Sequence, residues 1–116
     1  MWFVQVILHI ETNGHSLSFG RFDQYMNPFL QKDLKEGRIT MEEAEEMLGC
    51  FYLKIYSNNK LRSWSNTLTQ MGSPTYQNIC LGGQKADKTD AVNEMSWLCL
   101  EMLDEIHLPE PTVYIR

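Results

Sequence analysis

The hydrophobic period of this chain switches twice after residue 75, and that switch limits its fold more than any other feature. Residues 76–81 alternate and stop at Gly82-Gly83, which predicts a strand. After a polar loop, Asp90 predicts a cap, and Val92, Met95, Leu98, Met102, Leu103 and Ile106 fall on one helical stripe. Leu108-Pro109-Glu110-Pro111 breaks that helix, and residues 112–115 predict a second strand. Strand, helix and strand within about forty residues make a βαβ unit, with two parallel strands and a right-handed crossover. The expected class is therefore α/β.

Upstream, helices dominate. Residues 2–12 place Phe3, Val6, Ile7 and Ile10 at helical spacing, while Val4 and Leu8 fill the other side. A helix buried nearly all round is expected, with a strand as competitor because several residues are β-branched. Asn13-Gly14 stops it. The Gly20 region then leads into a short turn of helix, and Asn27-Pro28 opens a new helix that Gly37 ends. The clearest helix follows. Thr40 and Glu43 have capping-box spacing, and Ala44, Met47, Leu48, Phe51 and Ile55 form its apolar stripe. Ser57-Asn58-Asn59 closes it. Residues 60–75 have no apolar period and read as an ordered loop.

At 116 residues the chain suits one domain, and 43% hydrophobic with 22% charged residues is a globular composition. A net charge of -5 removes the electrostatic case for nucleic acid. The apolar opening over residues 2–8 is too short to span a membrane and lacks a signal-peptide pattern. Three cysteines, at 50, 80 and 99, suit reduced thiols in a cytoplasm better than a disulfide framework. An apolar segment directly after Met1, and Arg116 directly after Thr112-Val113-Tyr114-Ile115, suggest that residues 1–116 are an internal segment truncated at both ends.

The stretch from Ile10 to Leu30 crowds polar groups between apolar segments, which suits a contact loop. His15 and Ser16 are its best functional candidates, since an imidazole and a hydroxyl on one turn can address a single ligand hydroxyl. The competing reading has both satisfying backbone groups of the turn. Arg21 and Asp23 suggest a structural pair. His9, Glu11 and His15 miss the two-histidine helical spacing of zinc sites, so no metal is expected. Cys50 sits in the helix after Thr40 among core residues, Cys99 lies within the last helix, and Cys80 lies near a strand end; none reads as a nucleophile. Gly82-Gly83 lacks the lysine and third glycine of a phosphate loop.

Asn13-Gly14-His15-Ser16, with Ser18, Gly20-Arg21-Phe22-Asp23-Gln24-Tyr25-Met26, resembles the glycyl radical enzymes of the pyruvate formate-lyase family. Later blocks resemble it in the same order: residues 59–63, 72–78, 81–84, 90–96 and 111–116. The Asn-Gly-His-Ser version is more similar to the dehydratase and C–N or C–S lyase branch. The resemblance implies part of a ten-stranded α/β barrel, in which a glycyl radical, installed by a radical-SAM activating enzyme, passes to a thiyl cysteine that attacks substrate. It implies substrate-binding roles for His15 and Ser16 at a substrate hydroxyl, for Tyr76 as an aromatic pocket wall, and for Gln70. The thiyl cysteine is expected beyond Arg116, and the Arg-Val-x-Gly-Tyr radical motif does not occur here, so no catalytic residue is expected in the chain. Lys88 occupies a place where relatives often have a turn glycine. The resemblance thus implies an anaerobic, cytoplasmic enzyme of which this is an inactive segment. Its partners would be a small polar substrate, the rest of the barrel, the activating enzyme and a second copy in a homo-oligomer, with neither nucleic acid nor membrane. The alternative is a noncatalytic binding or assembly module that keeps part of the scaffold.

Overall fold

The structure is a computed structural model that describes residues 2–11, 15–58, 61–72 and 75–116, with the side chains of residues 2 and 9 outside the description. Among the described residues five helices and three strands follow in the order α1 (Trp2–Glu11), β1 (Ser18–Arg21), α2 (Phe22–Lys35), α3 (Met41–Tyr56), α4 (Trp64–Gln70), β2 (Asn78–Leu81), α5 (Glu94–Ile106) and β3 (Thr112–Ile115). The predicted βαβ unit is β2–α5–β3. Its strands are parallel and pair Asn78 with Thr112 through Leu81 with Ile115.

The sheet has a third parallel strand, β1, at the other side of β2. The sequence pattern does not predict this strand; the helical turn expected after Gly20 is the start of α2. A bulge shifts the register of β1 between Ser18 and Arg21, and Gly20 sits within it at φ 68°. Glycine accepts that conformation without a Cβ clash, which lets a four-residue polar strand bend directly into α2. α2 also differs from expectation: Pro28 lies inside it rather than at its start. Proline removes one backbone donor there, yet the helix continues because Phe22 and Leu30 are buried on either side.

The capping box of α3 is present in full, with the Glu43 N–H donating to Thr40 Oγ1 at 3.2 Å and the Thr40 N–H donating to Glu43 Oε2 at 2.8 Å. Ala44, Leu48 and Ile55 are buried as expected, Met47 is exposed, and Tyr52 is wholly buried. For α5 the cap is Asn93, in a reciprocal box with Ser96, whereas Asp90 accepts the Val92 N–H one turn earlier. Val92 accordingly lies outside the helix, and Met95, Leu98, Cys99 and Met102 form the buried stripe. Residues 64–70 are helical, not loop. Ser63 caps this helix, and with no buried residue it carries no apolar period to read.

α2, α3 and α5 pack together over the sheet face that carries Ile79 and Leu81. Phe22 stacks on Phe51 at 5.1 Å, and Phe19 meets the same ring edge-on at 5.4 Å. Gly49 lets Met102 approach α3, where a Cβ would meet its sulfur at 3.2 Å. α1 is helical but not buried all round: Gln5 and Leu8 are buried, while Phe3, Ile7 and Ile10 are exposed. Its Gln5 amide donates to the Lys54 carbonyl at 3.1 Å. The expected stop at Asn13-Gly14 lies outside the described residues. Lys88 has φ 67°, the left-handed backbone that favours glycine. Among the described residues no helix is long and apolar enough to cross a membrane.

Candidate functional site

Because the three strands are parallel, their amino ends share one edge. Register aligns Ser18 with Asn78 and Asn78 with Thr112. Two residues before these lie Ser16, Tyr76 and Glu110, so topology alone brings three distant stretches into one row. Ser16 and Tyr76 have φ 59° and 57°, a left-handed backbone that costs a non-glycine residue about 1 kcal/mol. The Ser16 N–H donates to the Thr75 carbonyl at 2.8 Å, which ties the two strained segments together.

The side chains meet as well. The rings of His15 and Tyr76 lie 5.3 Å apart and are tilted by 52°. His15 Nδ1 and Ser16 Oγ are hydrogen-bonded. His15 is half-buried, and Ser16 and Tyr76 are exposed, so none of the three is sealed in the core. Such a group can exchange hydrogen bonds with a hydroxylated molecule while the rings offer it an apolar wall.

Gln70 stands apart. Its Oε1 accepts from Arg62 Nη1 at 2.7 Å, and among the described residues it makes no hydrogen bond to His15, Ser16 or Tyr76. One residue of this edge escapes sequence reasoning. Glu110, 2% exposed, accepts the Thr75 hydroxyl on Oε2 at 2.6 Å and the Gln77 N–H on Oε1 at 3.4 Å. The available signal was a carboxylate held between two prolines next to a strand, which also reads simply as a helix breaker.

The opposite, carboxyl edge is built differently. Asp23, fully buried, accepts the Gly82 N–H at 2.7 Å and the Ser96 hydroxyl at 2.5 Å. Arg21 donates to the Gly82 carbonyl at 2.7 Å and to the Gln84 carbonyl at 3.2 Å. The expected pairing of Arg21 with Asp23 is thus corrected: they bind the two peptides that flank Gly82, Asp23 at its N–H and Arg21 at its carbonyl, and among the described residues no ion pair joins them. Both side chains are engaged by backbone because the Gly82-Gly83 turn, at φ 68° and 91°, leaves its polar groups unpaired by the ladder.

The cysteines divide. Cys50 is exposed on α3 rather than among core residues, Cys80 is half-buried, and Cys99 is buried. Desolvation pushes the Cys99 thiol up to about 12; the Tyr52 hydroxyl opposes this and the Asp23 charge adds to it. Such a thiol stays protonated and inert at neutral pH. Among the described residues no three His, Cys, Asp or Glu side chains cluster as metal ligands.

The pyruvate formate lyase-like family model matches residues 1–116. The chain is 41% identical to the probable dehydratase YbiW of Escherichia coli (strain K12), over 99% of this chain and 15% of that protein. Its structure is similar to one described for 1,2-propanediol dehydration in Roseburia inulinivorans, with TM-score 0.90 and 43% identity over 99% of this chain and 14% of that one. It is also similar to the glycerol-bound B12-independent glycerol dehydratase of Clostridium butyricum, with TM-score 0.87 and 40% identity over the same shares. The chain therefore spans about 15% of the length of the curated relatives it matches. The fold, the collinear motifs and these likenesses agree: the chain is homologous to glycyl radical dehydratases and lyases and belongs to the pyruvate formate lyase-like family.

Proposed function

We propose that these residues form part of the substrate pocket of a glycyl radical dehydratase or lyase acting on a small hydroxylated molecule. The observation that carries this reading is the meeting of His15, Ser16 and Tyr76 at the amino edge of the sheet. His15 and Ser16 hold and orient a substrate hydroxyl, and Tyr76 walls the pocket. Gln70 contributes from the end of α4, reached through substrate rather than through direct contact with the other three.

The glycyl radical of such an enzyme supplies hydrogen-atom abstraction. This chain provides neither its glycine nor the thiyl cysteine: the Arg-Val-x-Gly-Tyr sequence is absent from its 116 residues, Cys99 is buried with a raised thiol pKa, and the Gly82 N–H and carbonyl are both engaged, by Asp23 and Arg21. Its own work is binding, orientation and exclusion of water. Exposed Tyr114 and Ile115 on β3, and Phe3, Ile7 and Ile10 on α1, support further barrel segments covering these faces, since parallel sheets are covered on both sides. The complete enzyme is cytoplasmic and anaerobic, assembles as a homo-oligomer and receives its radical from a radical-SAM activating enzyme.

Glycerol titrated into the protein of the complete reading frame, before radical activation, tests the pocket. His15→Ala is expected to weaken glycerol binding about tenfold, roughly 1.4 kcal/mol. Equal affinity in the variant and the parent would overturn the reading. The 116-residue chain alone, incubated anaerobically with activating enzyme, is expected to give no glycyl-radical EPR doublet.

A further inference from the structure

We infer that Glu110 is the positioning residue of this site, acting on Tyr76 through the two residues that flank it. The inference rests on the pocket reading above. Among the described residues Glu110 makes no hydrogen bond to His15 or Tyr76. Its two carboxylate oxygens instead take one hydrogen bond from the Thr75 hydroxyl and one from the Gln77 N–H, at 2.6 and 3.4 Å. Tyr76 lies between those anchors in a left-handed backbone, φ 57°, that an L-residue adopts only when its surroundings impose it.

The row of strand ends makes the clamp two-sided. On the β1 side, the Thr75 carbonyl accepts from the Ser16 N–H. On the β3 side, the Thr75 hydroxyl donates to Glu110, and the Thr112 N–H donates to the Gln77 carbonyl at 2.9 Å. Residues 75–77 are thereby held from both neighbours, and the Tyr76 ring is presented to the His15 imidazole. A carboxylate at 2% exposure is costly to bury, and it is retained where its hydrogen bonds fix a geometry. Glutamine in its place keeps an acceptor for the Gln77 N–H and can donate to the Thr75 oxygen, so it preserves both anchors. Alanine preserves neither. Thr75→Val removes one anchor without changing side-chain shape.

The test is fluorine NMR of the complete protein labelled with fluorotyrosine, the Tyr76 line being assigned by its loss in Tyr76→Phe. His15→Ala sets the shift produced when the imidazole leaves the ring. Glu110→Ala and Thr75→Val are expected to move the Tyr76 line by at least half that displacement, and Glu110→Gln to return it close to the parent position. If Glu110→Ala does not fold, Thr75→Val decides. A Tyr76 line unmoved in Thr75→Val or Glu110→Ala overturns the inference, as does a Glu110→Gln line displaced as far as that of the alanine variant. Glycerol binding measured on the same samples separates the two proposals. Unchanged affinity in His15→Ala defeats the pocket reading, while the fluorine line still decides whether Glu110 sets the ring.

Discussion

The two edges of the three-stranded sheet each contain a buried carboxylate, and they use it to opposite ends. At the carboxyl edge Asp23 ties α2, the Gly82 turn and the start of α5 together, leaving Phe22, Leu81 and Ala91 nearly inaccessible around it. At the amino edge Glu110 is as deeply buried, yet beside it Ser16 and Tyr76 stay exposed in strained backbone. One edge is closed and relaxed by glycines where the backbone turns left-handed. The other keeps side chains at left-handed positions and keeps them open. The contrast is one of pairing: Ser16 and Tyr76 are tied together in left-handed backbone at one edge, whereas Lys88 and His107, the other non-glycine residues with positive φ among the described residues, lie singly in a loop and at the α5 C-cap.

Removing the carboxyl-edge latch should produce the largest change. Asp23→Ala strands the Gly82 N–H and the Ser96 hydroxyl in the interior, and a loss of about 3 kcal/mol is expected in urea denaturation of the complete protein. A loss no larger than that of an exposed carboxylate would mean the two edges do not differ. Next comes Gly83→Ala, which places a Cβ 3.3 Å from Arg116 Cβ and Arg21 Nη2 at φ 91°. It should cost about 2 kcal/mol, more than Gly20→Ala, where φ is 68° but the space is open. The ordering of their melting temperatures checks this.

Ser16→Gly should act in the reverse sense. Relief of the left-handed backbone, less the greater freedom of glycine in the unfolded chain, is expected to stabilise the protein by about 0.5 kcal/mol while glycerol affinity falls. Loss of both together would place Ser16 in the scaffold instead. The smallest effect at neutral pH belongs to Cys99 below the closed edge. Its pKa is raised on folding, from the ordinary 9.0 to about 12, so the folded chain holds its proton more tightly. That contribution is fully present below about pH 9 and is lost as pH rises toward about 12, which alkaline denaturation of Cys99→Ser against the parent would reveal.

Sequence reasoning was strongest where one local rule sufficed. The Thr40–Glu43 box, the stripe from Met95 to Met102, the stop at Gly37 and the parallel pairing of β2 with β3 all follow from period, capping and connection length. It failed where burial or pairing came from elsewhere in the chain. β1 is too short, polar and bulged to carry an alternating pattern, and it is a strand because β2 lies beside it. α4 has no buried face to give it a period. Cys50 occupies a helix that is apolar on average, and only the packing direction of α3 leaves it exposed.

The site divides in the same way. His15, Ser16 and Tyr76 were legible as residue types and through family motifs, and Lys88 as a place for glycine. That His15 meets Tyr76, that Arg21 and Asp23 each bind Gly82 instead of each other, and that Glu110 stands behind Thr75 were decided by the tertiary arrangement. The physical reason is range. Propensity, capping and hydrophobic period act over a few residues and are written along the chain, whereas this parallel sheet pairs residues as distant in sequence as Ser18 and Asn78, or Asn78 and Thr112, whose partnership exists only once the strands have paired.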